Sequence, residues 1–411
     1  MLQITLDSNA DDVEVLGKLE RLFRAENLED ELLENLKMQA AISTDAEQRL
    51  NLRNKIGDLY VAAFDNTFDA LEQYRLVLEE NSGDEHALKA VWKIAEDNED
   101  QRLEVAALLE PVLSELGDFE KLVDVMKLRL SAQSESGDRV QTLRGLALVA
   151  EEQLDDPEQA RGFLIEALAE CPESDAIHDD VARLCELVED FIPYAEALKR
   201  LASEIYDALL QSELYERLGI IAEEELKDSA MAIEAYSHAV EHTDEPNELL
   251  ESLDGLYTAA KDHDKLVEVL ERRAEVEADD KVVAQLHYRL ASLRLDVFED
   301  SAAGLQALSM AAEHDPHNAE VRERLESLTD ERELFDECAE ALEVIYRVVQ
   351  DKEARTALRN KRISYAPTAS ERVQLRIELA QMLEDESFDT EAAQSVIEQA
   401  LLDDVSDPEL I

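Results

Sequence analysis

Glycine and proline are scarce, at 10 and 8 of 411 residues. A sheet-rich fold spends those residues on its many turns, so the scarcity argues against one. Cysteine is scarcer still. Cys171, Cys185 and Cys338 stand far apart with no C-x-x-C pair, which points to a reduced, cytoplasmic compartment. Basic residues number 40 against 99 acidic ones, a formal charge of −59, so nucleic acid and anionic membranes are poor partners. No run of 18 apolar residues occurs, and Met1 to Asp7 holds no basic stretch followed by an apolar one. Neither a membrane span nor a secretion signal is expected. Also missing are a Gly-rich phosphate loop, G-x-S-x-G, H-E-x-x-H and any ordered Cys/His constellation. With them go the usual grounds for naming a catalytic residue or a cofactor, and none is expected.

What remains is a chain of helix formers. Hydrophobic residues make up 45% of it, and Ala, Leu and Glu dominate. The acids are interleaved with regularly spaced Leu, Ala and Ile, the pattern of folded helices with acidic solvent faces rather than of a disordered acidic tail. Among the bases, 26 Arg outnumber 14 Lys. A Lys-poor, carboxylate-rich surface suits a salty cytoplasm, and an ordinary acidic protein would show the same; composition does not choose between them.

Aligned with itself, the chain repeats. One column of small residues holds Gly57, Ala147, Gly219, Ala291 and Ala380, spaced by 90, 72, 72 and 89 residues. A second, Ala70, Ala160, Ala232, Gly304 and Ala393, keeps the same irregular spacing. Apolar residues precede the first column (Ile56, Leu146, Leu218, Leu290, Leu379), and larger ones follow the second by four (Tyr74, Leu164, Tyr236, Leu308, Ile397). Small side chains let two helices of a hairpin approach, and the larger residue fills the groove beside them. Asp155-Asp156-Pro157 marks the start of one second helix, and Cys171-Pro172 and Asp315-Pro316 mark the ends of two others.

Between these hairpins lie looser ones, such as 249–276 and 181–205, whose apolar positions keep helical spacing without the paired small residues. One full unit is therefore four helices. The units fall at 48–137, 138–209, 210–281 and 282–370, with partial units at 1–47 and 371–411. The two longer units have room for one more helix each, for which Gln101 to Gly117 and Arg347 to Ser364 are the candidates.

The tighter hairpins resemble tetratricopeptide repeats. Tyr215, Leu218, Gly219, Ala232, Tyr236 and Ala239 fall where that family places its aromatic, leucine, glycine, alanine, aromatic and alanine, with Pro172 and Pro316 at its closing proline. The turn is about one residue longer than the family's, and the looser hairpins carry residues such as Asp254 and Leu266 instead of small ones. The resemblance implies an all-α, right-handed superhelical solenoid of antiparallel helix pairs over 1–411, whose concave groove receives a segment of another protein.

In that family first helices line the groove. Here they supply Gln141, Arg144, Leu148, Glu151 and Glu152 in one unit, and Glu213, Glu216, Arg217, Ile220, Glu223 and Glu224 in the next, with Arg289 further on. Family members that grip an acidic tail use Lys, Asn and Arg at such places. A mostly carboxylate lining argues against that activity and for a basic, amphipathic partner segment, unless the acids only solvate a helix face. The expected role is thus a non-catalytic interaction scaffold.

The alternative is a self-assembling module. Asn9-Ala10 resembles Asn318-Ala319, so the chain begins inside a repeat, and it stops at Leu410-Ile411 after one hairpin; it is expected to be a piece of a longer array, or to stack through its terminal repeats. Two weak chemical signals remain. His238 and His242, four apart on a helix, have metal-ligand spacing but no well-placed third ligand, as does the turn His314-Asp-Pro-His317; no metal is expected. Trp92, the only tryptophan, lies in an apolar stretch and is expected to fill a core or pack within a hairpin rather than stack on a ligand.

Overall fold

A computed structural model describes residues 13–385 and 389–403, all-α with 22 α-helices and one short 3-10 turn among them. The chain divides into two compact units, Met1–Leu201 and Ala202–Ile411. The first holds α1 (Val13–Ala25), α2 (Glu29–Ile42), α3 (Ala46–Phe64), α4 (Thr67–Glu80), α5 (Glu85–Asp97), α6 (Arg102–Leu116), α7 (Phe119–Ala132), α8 (Ser136–Glu152), α9 (Pro157–Glu170), α10 (Asp175–Val188) and most of α11 (Ile192–Glu204). The second holds α12 (Ala208–Glu224), α13 (Ser229–Glu241), α14 (Asn247–Ala260), α15 (His263–Val276), α16 (Asp280–Asp296), α17 (Ser301–His314), α18 (Ala319–Leu328), α19 (Phe335–Val348), α20 (Lys352–Tyr365), α21 (Ala369–Asp385) and α22 (Thr390–Asp403). Asn9-Ala10 and Leu410-Ile411, which carried the reading of the chain ends, lie outside the described residues.

Most hairpins among the described residues are closed by a recurring two-residue device. In the tight hairpins, Asp65, Asp155, Lys227 and Glu299 adopt left-handed φ of 49° to 55°. The next residue caps the second helix: the side chains of Asn66, Asp156, Asp228, Asp300 and Asp389 each accept a backbone N–H from three residues on, at 2.9 to 3.1 Å. The looser hairpins use the same turn at Asn27, Gly117, Glu189, Lys261 and Gln350, with caps at Asp118, Asp262 and Asp351. The left-handed residue breaks the first helix, and the side-chain cap satisfies a free N–H of the second.

These turns sort the helices. Tight hairpins are α3–α4, α8–α9, α12–α13, α16–α17 and α21–α22, and they alternate with looser ones, α1–α2, α6–α7, α10–α11, α14–α15 and α19–α20. Two helices have no hairpin mate, α5 and α18, and these are the additions in the longer units. The expectation for both segments is corrected: Gln101 to Gly117 is the first helix of a looser hairpin, and Arg347 to Ser364 is chiefly the second helix of one. The sequence misleads because α5 and α18 begin in the register of α10 and α14, 90 residues before and 72 after. Only the turn at Gly117 or Gln350 shows which helix owns the hairpin.

The small-residue columns do lie at the hairpin contacts. A Cβ added at Gly57 would sit 2.6 Å from the ring of Tyr74, and one at Gly219 would sit 2.4 Å from the ring of Tyr236. Both tyrosines are buried. Where the small position is alanine, its partner is smaller too: Ala147 goes with Leu164, Ala291 with Leu308 and Ala380 with Ile397. Volume lost in one column is gained in the other, as close packing requires.

Candidate functional site

Within each unit, ion pairs join the first helices of consecutive hairpins. In the first unit Arg144 of α8 reaches Asp180 of α10 at 3.4 Å, and Arg183 of α10 grips Glu151 of α8 through two bonds of 2.6 and 2.8 Å. That grip holds the Glu151 carboxyl below its ordinary value. Gln141, Leu148 and Glu152 are exposed on the same helix. The α8 face is therefore largely self-neutralised.

In the second unit the arrangement differs. Arg289 of α16 is no open cation: its guanidinium donates twice, both at 2.6 Å, to the buried carboxylate of Asp254 on α14. Arg273 of α15 donates to the same carboxylate at 3.0 Å. Arg144 and Arg289 are thus both claimed by carboxylates from helices some 35 residues away. Burial pushes the Asp254 carboxyl upward, and the two arginines more than offset it, leaving it below the ordinary value.

Beside this knot, α12 and α14 bring carboxylates together. Glu216 is half-buried, and burial, then Glu248 from α14, then Glu213 raise its carboxyl above the ordinary value, with Arg217 opposing them. Glu223 accepts the Tyr236 hydroxyl at 3.2 Å, and Glu213, Ile220, Glu223 and Glu224 are exposed. Glu248 was not foreseen. Its relation to Glu216 comes from helix packing across 32 residues, and only the 72-residue alignment of first helices hints at it.

In helix order and in small-against-large nesting the hairpins are tetratricopeptide-like. No protein-family profile and no curated protein matches the chain. Solved structures similar to it include pilF of Pseudomonas aeruginosa, 16% identical over 56% of this chain and 99% of that one, with a TM-score of 0.25. The C-terminal part of a TPR repeat-containing protein from Cytophaga hutchinsonii is 13% identical over 66% and 97%, with a TM-score of 0.27. The TPR2AB domain of yeast Sti1, seen in a complex with pHSP90, is 14% identical over 72% and 100%, with a TM-score of 0.22. Scores this low establish no common overall arrangement, and the hairpin geometry stands on its own.

The remaining candidates have ordinary surroundings. The His238 ring stacks on Tyr215 at 4.9 Å, and His314 meets Asp280 at 2.9 Å and stacks on His287. Among the described residues no group of three or more His, Cys, Asp or Glu is arranged to hold a metal, and no helix is long and apolar enough to cross a membrane. Cys185 and Cys338 are buried, and burial pushes both thiols up to about 11. Trp92 lies half-buried on α5, at the edge of a cleft, with its indole N–H donating to Glu96 at 2.8 Å.

Proposed function

We propose that the protein is a non-catalytic interaction scaffold, and that the α12–α14 face of its second unit docks a basic, amphipathic segment of a partner protein. The observation that carries this reading is the crowding of Glu216 by Glu248 and Glu213 while the nearby Arg289 and Arg273 are spent on Asp254. Carboxylates that repel one another gain from an arriving lysine or arginine, and Ile220 offers an apolar foothold among them. The net charge of −59 speeds the encounter with a cationic partner.

Net charge alone attracts any basic peptide, so the test needs a control of equal charge. A lysine-rich amphipathic peptide is titrated against the E216K/E223K/E224K variant and against E275K/E313K/E340K, which reverses exposed acids on other helices of the same unit. The first is expected to weaken binding tenfold or more, and the second by no more than about twofold. Equal losses in both would reduce the interaction to bulk charge and remove the site.

A further inference from the structure

The helix α5 has no hairpin mate, and a cleft of about 720 Å³ opens along it. One wall is α5 itself, with Glu85, Leu88, Lys89, Trp92, Lys93 and Glu96 on three successive turns, about 16 Å of helix. The floor is the buried Leu109 and Leu113 of α6, and the far wall is Lys121, Asp124 and Val125 of α7. The cleft lies wholly within the first unit and shares no residue with the α12–α14 face.

Its charge is unlike that of the rest of the chain. Three of the 14 lysines line it, balanced by three carboxylates, in a protein where acids outnumber bases 99 to 40. Lys89 is paired with Glu85 at 3.0 Å, Lys121 with Asp118, and Glu96 with the Trp92 indole. Lys93 is exposed and makes no ion pair among the described residues. A wall three turns long over a short apolar floor, with the unpaired Lys93 at its rim, has the form of a helix-in-groove site.

We infer that this cleft docks an amphipathic helix of a partner protein, one with an apolar stripe against Leu88, Trp92, Leu109 and Leu113 and a carboxylate flank that meets Lys93 and Lys121. The incoming helix takes the place of the mate that α5 lacks. A segment of this chemistry is repelled by the acidic surface elsewhere, so the lysine rim also provides the selectivity. Salt separates this site from the acidic face. Remote carboxylates lie beyond the screening length of about 10 Å at 0.1 M salt, whereas the rim lysines touch the ligand, so added salt relieves the repulsion more than it weakens the contact.

Because Trp92 is the only tryptophan, its emission reports on this cleft alone. Two synthetic 14-residue helical peptides with the same leucine and phenylalanine stripe, one flanked by glutamates and one by lysines, are titrated into the full chain. The glutamate peptide is expected to shift Trp92 emission to the blue and saturate, with affinity holding or rising from 50 to 300 mM salt. The lysine peptide is expected to leave it unshifted over the same range. K93E, an exposed substitution whose fold is checked by circular dichroism, is expected to weaken the glutamate peptide about tenfold. The inference is overturned if the glutamate peptide gives no shift, if the lysine peptide binds as well, or if K93E changes nothing. A blue shift that appears on concentrating the protein alone would also overturn it, in favour of a second copy as occupant. None of these outcomes depends on E216K/E223K/E224K, so the two docking faces stand or fall separately.

Discussion

The consecutive hairpins α12–α13 and α14–α15 solve one problem by two kinds of physics. In the tight hairpin, Gly219 has no side chain, and the Tyr236 ring occupies the space a Cβ would need. In the looser one, Asp254 of the first helix meets Arg273 of the second. The second device recurs with the repeat spacing: Glu20 accepts Gln39 at 3.1 Å, and Glu110 accepts Arg129 at 2.7 Å. At the matching places in α10 and α11 stand Ala182 and Leu201, which carry no charge at all. Nesting tolerates a change of volume only if both columns change together, whereas a buried pair tolerates loss of both charges but not of one.

The largest expected effect breaks the polar device. Asp254→Ala takes from Arg273, whose side chain is 11% exposed, its buried partner and leaves it only the exposed Glu251 at 2.9 Å, a cost of about 3 kcal/mol in urea denaturation. The pair of changes D254A/R273L installs the arrangement of α10–α11 and is expected to recover more than half of that loss, since Arg289, 41% exposed, can turn to solvent. A double variant no better than D254A would show that the network cannot be exchanged for apolar packing here. The pH dependence has a fixed sign. The folded Asp254 carboxyl sits below its unfolded value, so its contribution is present above the ordinary carboxylate range and is lost as pH falls through the depressed value. The gap between wild type and D254A should narrow on acidification.

The nesting device should yield less. Gly219→Ala puts a methyl 2.4 Å from the Tyr236 ring, an overpacking cost of about 1–3 kcal/mol, against a helix-propensity gain of about 1 kcal/mol. With the ring buried the cost falls toward the upper end of that range, so a net loss of up to about 2 kcal/mol is expected, with relief in G219A/Y236L, which reproduces the Ala147 and Leu164 pairing. If G219A were neutral in thermal denaturation, the glycine would not be there for the ring.

The unequal legibility of the two devices has a physical cause. Gly57, Gly219 and their tyrosines show in the sequence because glycine is unfavourable inside a helix and only 10 occur in the chain, so its return at a fixed spacing carries information. Asp254 and Glu110 do not show: with 99 acids, a carboxylate at a given spacing means little until its partner is seen. Hairpin turns were hidden differently. Among the described residues their left-handed positions hold Asp, Glu, Lys, Gln and Asn, with glycine only at Gly117, so the usual marker is missing and α5 and α18 could not be told from true hairpin members. The acidic character of the α12 residues was readable from spacing. That Arg144 and Arg289 are consumed by Asp180 and Asp254 was not, because those pairs join helices separated by 36 and 35 residues.

The smallest expected effect concerns the face left polar by both devices. Glu216 sits on the tight hairpin but faces Glu248 on the looser one, and burial and that carboxylate together outweigh the opposing Arg217. Its folded carboxyl is raised above the unfolded value, so the folded state holds its proton more firmly, and stability falls as pH rises through that range. Glu216→Gln should therefore stabilise the chain at neutral pH, by no more than about 0.5 kcal/mol as befits a half-exposed site, and should have no effect well below the carboxylate range. Thermal unfolding at several pH values checks this. A destabilised E216Q at neutral pH would mean that Glu216 is satisfied within the chain, and the α12–α14 face would then have no unmet charge to offer a partner.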